Sequence, residues 1–368
     1  MKIRCAKDEL YEAIQTVQRA VSGRSTLPIL NNVLLEADDD TLCLVAYDLE
    51  FGIECTLAVK VEARGGATIP ARILAEVVGS MPEAEITIEV DERQVVTITC
   101  GGSRYEIHGL PAEEFPRLPL LTEGARALVN RARFRQLIRS TSFATSVDET
   151  RPILTGVLTQ LTADTIMLVA TDTHRLAWAK GNLDEPVSAP ASAIIPGRIY
   201  GELLRVLNAV SEEQCEICIG ENQAQFRLGR VAVQSRLIEG EFPNWEKVVP
   251  KDHQTRVTVE AESFRQALRR AAIVAREDAN KIILGIKDDG ITITADSQEV
   301  GTGHEELAAT LEGPPVSIGF NARYLLDSLN VMDAEEIWID LRGPLESGLV
   351  CPMGDDGYRY ILMPMQVG

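Results

Sequence analysis

Pro28 to Asp48 reads PILNNVLLEADDDTLCLVAYD, and 124 residues further on Pro152 to Asp172 reads PILTGVLTQLTADTIMLVATD. The two stretches align without a gap and share eleven of 21 positions. A fainter third copy runs from Ile282 to Gly301, where Ala295 matches Ala46 and Ala170. A spacing near 124 is too long for a solenoid unit, which spans about 20–50 residues. It is the length of a domain with its own core. The 368 residues therefore read as one domain written three times.

Each copy opens with a short strand and a helix-period segment. Leu10, Ile14, Val17 and Val21 carry the spacing in Lys7–Val21, Phe134, Ile138 and Thr141 in the second copy, and Phe264 and Leu268 in the third. Alternating strand patterns follow at 33–37, 42–46 and 53–61. A second short helix is announced by IPARILAEVV from Ile69, IPGRIYGELL from Ile195 and GFNARYLLDSL from Gly319. Pro70 and Pro196 suit a helix start, where no N–H partner is needed. More strands close the unit, at 86–90, 95–99 and 105–108. Each copy is thus α+β, a β-α-βββ pattern repeated twice. The first two copies end in EFP, at Glu114–Pro116 and Glu241–Pro243, and proline-bearing connections at 118–124 and 248–254 mark the boundaries.

The net charge of −19 argues at first against nucleic acid, because phosphate binding needs a basic surface. The distribution reverses that. The six helical segments (7–24, 70–82, 130–147, 196–210, 261–276 and 321–330) hold fifteen Lys and Arg against seven Asp and Glu, a net +8 that leaves −27 for the rest. Arg131, Arg133, Arg135 and Arg139, and Arg265, Arg269, Arg270 and Arg276, dominate the count. Helices gathered on one surface would offer phosphates a positive face while the acidic remainder repels them. No helix-turn-helix, zinc-finger or RNP pattern is present, so contacts to backbone without base readout are expected.

Catalytic chemistry is not legible. Cys215 and Cys218 form a lone CxxC on a strand pattern, with no second pair to complete a zinc site. His108, His174, His253 and His304 have no ligand spacing, and Asp38-Asp39-Asp40 reads as a solvated turn. P-loop, GxGxxG and GxSxG motifs are missing. No cofactor or metal is expected. Seven scattered cysteines suggest reduced thiols in a cytoplasmic protein. No apolar run approaches a signal peptide or a membrane span.

The copies diverge at Thr171-Asp172-Thr173-His174-Arg175-Leu176, where the first has Tyr47-Asp48-Leu49-Glu50-Phe51-Gly52. The other singular piece is the tail, Tyr360-Ile361-Leu362-Met363-Pro364-Met365-Gln366-Val367-Gly368. Its pattern reads as an edge strand, yet two methionines around a proline also make an adaptable apolar surface for peptides.

TDTHRLA with the terminal MPM, RSTLPIL at Arg24–Leu30 and the IPAR/IPGR/FNAR series resemble the bacterial DNA polymerase III beta subunit, the replicative sliding clamp, over the whole chain. The resemblance implies three tandem DNA-clamp domains, at 1–121, 122–250 and 251–368, and a head-to-tail homodimeric ring with helices inside and antiparallel sheets outside. Such a ring encircles double-stranded DNA and tethers the replicative polymerase alpha subunit. It is opened by a separate clamp loader, binds other proteins carrying a clamp-binding motif, and has no catalysis or membrane association of its own. The implied DNA contacts are Arg24, Arg72, Arg198, Asn321 and Tyr324. The implied peptide pocket comprises Leu154, Thr171, Thr173, His174, Arg175, Leu176, Pro243, Val248, Ile361, Met363, Pro364 and Met365. The implied dimer contact joins Ile273 and Val274 to Arg104 and Tyr105. Two departures bear on the pocket's shape: the usual glycine of TDGHRL is Thr173, and Gln366-Val367-Gly368 replaces a tail that often carries a basic residue. A specialised clamp paralogue, and an enzyme with an interdomain active site, stand as the alternatives.

Overall fold

The repeated stretch folds the same way twice. The computed structural model describes residues 1–21, 27–119, 121, 123–287 and 290–367. In it a 3-10 turn at Pro28–Asn31 leads into strands Asn32–Asp38 and Thr41–Tyr47. Pro152–Thr155, Gly156–Thr162 and Thr165–Thr171 repeat that order. Each proline presets φ at the start of its turn. The hairpins then reverse through matching left-handed residues, Asp39 at φ 47° and Ala163 at φ 46°. In the third copy the paired strands are Lys281–Lys287 and Gly290–Ser297.

Among the described residues there are six α-helices: α1 (Lys7–Val17), α2 (Ala71–Ser80), α3 (Arg131–Thr141), α4 (Gly197–Ala209), α5 (Ala261–Ala275) and α6 (Ala322–Leu329). The apolar spacing read from sequence is the buried stripe: Leu10, Ile14 and Val17 on α1, Phe134 and Ile138 on α3, Phe264 and Leu268 on α5. α1 is shorter than its expected span, because Gln18–Ala20 tightens into a 3-10 turn. Side chains close two helix starts. Glu260 accepts from the N–H groups of Glu262 and Ser263, and Asn321 accepts from those of Arg323 and Tyr324. Each satisfies donors that a helix leaves free in its first turn.

Two compact bodies result. The first holds residues 1–131, 187–189 and 198–237. Its five-stranded sheet ends on Ser103–His108, and its nine-stranded sheet runs through both copies because Phe51–Ala58 pairs antiparallel with Val231–Arg236. The second holds residues 132–186, 190–197 and 238–368. It has a nine-stranded sheet joined where Arg175–Asn182 pairs with Tyr358–Leu362, and a four-stranded sheet ending on Gly301–Leu307. The tail strand is therefore not an edge. Tyr358–Leu362 is paired on both sides, to Arg175–Asn182 and to Gly348–Pro352. Tyr358, Tyr360, Ile361 and Leu362 are all buried, which an apolar run allows on an inner strand as readily as on an edge.

Candidate functional site

The turn that precedes the tail's partner strand is built on one carboxylate. Asp172 Oδ1 accepts from the N–H of His174 at 2.9 Å and of Arg175 at 3.0 Å. Thr173 between them stands at φ 80°. Thr171 Oγ1 donates to the Arg175 carbonyl at 2.7 Å and accepts from Thr173 N at 3.2 Å. Arg175 is 9% exposed and ion-paired to Asp172 Oδ2 at 3.0 Å and Asp327 Oδ2 at 2.5 Å. It also donates to the Phe143 carbonyl at 2.8 Å and lies over the Tyr324 ring, 4.3 Å from its centroid. The guanidinium thus fixes the strand end from below, and both carboxylates answer its charge, as a buried ion requires.

Above that turn lies a cavity of about 210 Å³, lined by Leu154, Thr171, Thr173, Arg175, Leu176, Pro243, Asn244, Trp245, Val248, Ile361 and Met363. Its walls are mainly apolar, with room for one or two aliphatic or aromatic side chains. Nine of the twelve residues assigned from sequence line it. His174, Pro364 and Met365 do not. The His174 carbonyl accepts from Met363 N at 2.9 Å, and Met365 N donates to the Gly319 carbonyl at 2.8 Å, so the tail is laced to the turn before Arg175 and to the strand Val316–Asn321. Asn244 and Trp245 were missed by the sequence reading. Trp245 stacks on Trp178 with ring centroids 6.3 Å apart, and the signal was an aromatic residue just beyond EFP.

The residues expected to face DNA fare differently. Arg24 lies outside the described residues. Arg72 is 90% exposed and pairs with Glu76, one turn along α2. Arg198 pairs with Asp48 Oδ2 at 3.4 Å and Glu50 Oε2 at 3.0 Å. Asn321 caps α6 and Tyr324 carries Arg175, so both side chains have structural duties. Several helix arginines are also answered locally, Arg133 by Asp184 and Arg270 by Glu305. Arg131 donates to the Leu207 and Val210 carbonyls at the end of α4, and Arg265 to the Leu329 carbonyl at the end of α6, each meeting the negative pole of a helix. Among the described residues, Arg139, Arg276 and Arg323 have no ion-pair partner. Arg323 holds the place in FNAR that Arg72 and Arg198 hold in IPAR and IPGR.

Three domain profiles match the chain in order. The N-terminal domain of the DNA polymerase III beta subunit matches residues 1–119, the central domain 128–244 and the C-terminal domain 246–366. The beta sliding clamp of Bacillus subtilis is 33% identical over 377 residues, covering all of both chains. The chain belongs to the DNA polymerase III beta subunit family, the beta sliding clamps. The beta sliding clamp of Synechococcus elongatus is likewise 33% identical, with both chains fully covered. The crystal structure of the Bacillus subtilis DNA polymerase sliding clamp superposes with a TM-score of 0.96 over all of both chains. Three tandem clamp domains make up the fold, and the chain is a DNA clamp, a non-catalytic processivity factor.

As a clamp it carries two further surfaces of note. On α5, Ile273 is 65% exposed and Val274 half-buried. On the outer strand Ser103–His108, Tyr105 is 46% exposed and Arg104 pairs with Glu106 at 2.8 Å. Ile273 and Tyr105 are large apolar groups left in water on the single chain. The cysteines are free thiols in apolar surroundings, and burial raises Cys5, Cys43 and Cys351 to about 12. Thiolates are thereby suppressed. No helix among the described residues is long and apolar enough to cross a membrane.

Proposed function

We propose that two copies of this clamp close head to tail into a ring around duplex DNA, with Ile273 and Val274 of one copy against the edge strand at Arg104 and Tyr105 of the other. The domains run 1–121, 122–250 and 251–368. Their helices line the hole, and Arg24, Arg72, Arg198, Asn321 and Tyr324, joined by Arg323, face the DNA backbone. Local ion pairs at Arg72 and Arg198 keep that contact weak, and a ring that must slide needs exchangeable phosphate contacts. The cavity above Arg175 takes the anchor side chains of the replicative polymerase alpha subunit, the clamp loader and other proteins with a clamp-binding motif, with His174, Pro364 and Met365 at its rim. The setting is the cytoplasm.

The observation that carries this reading is the coexistence of a threefold repeat with one apolar cavity at the junction where the copies diverge. Repetition builds a closed scaffold, and the divergent junction supplies attachment. The test is topological: a ring loaded on closed-circular duplex stays, and the same ring runs off a linear one.

A further inference from the structure

The cavity above Arg175 has a counterpart in the first body, and that counterpart is filled. Its wall positions follow from the repeat. Leu30 stands for Leu154, Tyr47 for Thr171 and Gly52 for Leu176. The register of the two sheet junctions extends the match, since Gly52 opposes Gln234 as Leu176 opposes Ile361. The EFP segments align too, so Leu118 falls two residues past its proline where Trp245 falls two past the other.

At the second junction Trp245 lies against Trp178 and the cavity stays open. At the first, the chain enters. Leu118 packs against the cluster of Leu34, Val45, Tyr47 and Phe115. A Cβ placed on Gly52 would overlap Leu118 Cδ2, so the side chain absent at 52 is the space that Leu118 occupies. Gln234, polar where the other junction has Ile361, donates from Nε2 to the Pro119 carbonyl at 2.5 Å. Arg117 Nη1 meets both oxygens of Glu36 at 2.7 Å. One anchored apolar side chain, one backbone carbonyl read by an amide and one flanking ion pair are the elements of peptide recognition.

We propose that the first body carries a second peptide-docking groove, occupied in cis by Arg117–Pro119, and that it takes an extended segment of basic–Leu–Pro chemistry from another chain when its own segment is displaced. The proposal rests on the reading of the cavity above Arg175 as a peptide groove, which it extends to the other junction. Tethering explains the closed state. A short linker holds its ligand at an effective concentration of about millimolar, so a modest intrinsic affinity suffices to keep the groove filled.

The probe is a dye-labelled peptide with the sequence of residues 114–120, EFPRLPL, added to the full-length dimer. An R117A/L118A variant, whose own segment no longer competes, is expected to bind one peptide per protomer at least tenfold more tightly than the unaltered chain. Adding Gln234→Ala should weaken that binding about tenfold, the loss of one hydrogen bond, and adding Met363→Ala should leave it unchanged. Equal binding by variant and unaltered chain, or indifference to Gln234→Ala, would overturn the proposal. Binding lost with Met363→Ala instead belongs to the groove above Arg175, which also overturns it, so the two readings fail separately. Should the double variant not fold, hydrogen exchange of residues 112–119 in the unaltered chain gives the answer. Several-millimolar peptide is expected to speed it, and unchanged exchange contradicts a displaceable segment.

Discussion

Thr173 and Leu49 occupy the same left-handed place in two copies of one turn, with φ of 80° and 77°. The preceding aspartates do the same work in each. Asp48 Oδ1 accepts from Glu50 N at 3.0 Å and Phe51 N at 2.7 Å, as Asp172 Oδ1 does from His174 and Arg175. The turn therefore belongs to the domain's construction, and the glycine usual at this place is explained by backbone geometry. A β-branched residue at positive φ is strained by about 1–3 kcal/mol.

Thr173→Gly should for that reason stabilise the clamp. Part of the relief is lost to the greater freedom of glycine in the unfolded chain, leaving a net gain of about 1 kcal/mol. Thermal unfolding should shift upward by about 2 °C. A downward shift would mean that the threonine side chain contributes more than its backbone costs.

The cap of α5 gives a pH dependence. Hydrogen bonds from Ser263, then from Glu262, hold the Glu260 carboxyl below its ordinary value of 4.5. A depressed folded value means stability that is present above 4.5 and lost as pH falls through the folded value. Glu260→Gln should therefore flatten the acid limb of a stability–pH profile below about 4.5 and leave its slope at neutral pH unchanged. An unaltered acid limb would remove the cap from the account.

At the dimer surface, Ile273→Glu would put a charge where an exposed isoleucine is expected to be covered by the partner. Desolvating that charge weakens association by at least about tenfold. Sedimentation of the variant at micromolar concentration should show monomer where the unaltered chain runs as a dimer. A strictly monomeric unaltered chain would count heavily against the ring.

Deleting Met363–Gly368 removes one cavity wall and the lacing of Met363 to His174 and of Met365 to Gly319. Polymerase-peptide binding should be abolished while the dimer persists. Unchanged peptide affinity would move the docking site elsewhere.

The repeat made the fold legible because identical residues at a spacing of 124 demand identical local structure. Pro28 and Pro152 begin the same turns, and the apolar spacing of α1, α3 and α5 is the buried stripe in each. The cavity was legible where it lies on the divergent segment and the tail. Trp245 and Asn244 escaped notice because a connection between copies has no periodicity to read. The tail strand is an inner strand and not an edge, because an apolar run near the chain end does not reveal whether it is paired on one side or on both. The cation–π platform that Tyr324 offers Arg175 joins residues distant in sequence, whereas the Asn321 cap of α6 is local, made to the N–H groups of Arg323 and Tyr324. Net charge by segment located the arginines but not their partners, such as Asp184 for Arg133 and Glu305 for Arg270.

The central claim, a closed ring held on DNA by topology, is tested most directly by loading the clamp onto nicked circular duplex and then cutting the circle once. The clamp should stay on the intact circle and leave the linear product quickly. Equal retention on both forms would contradict it, showing that the protein holds DNA by contact and not by encirclement.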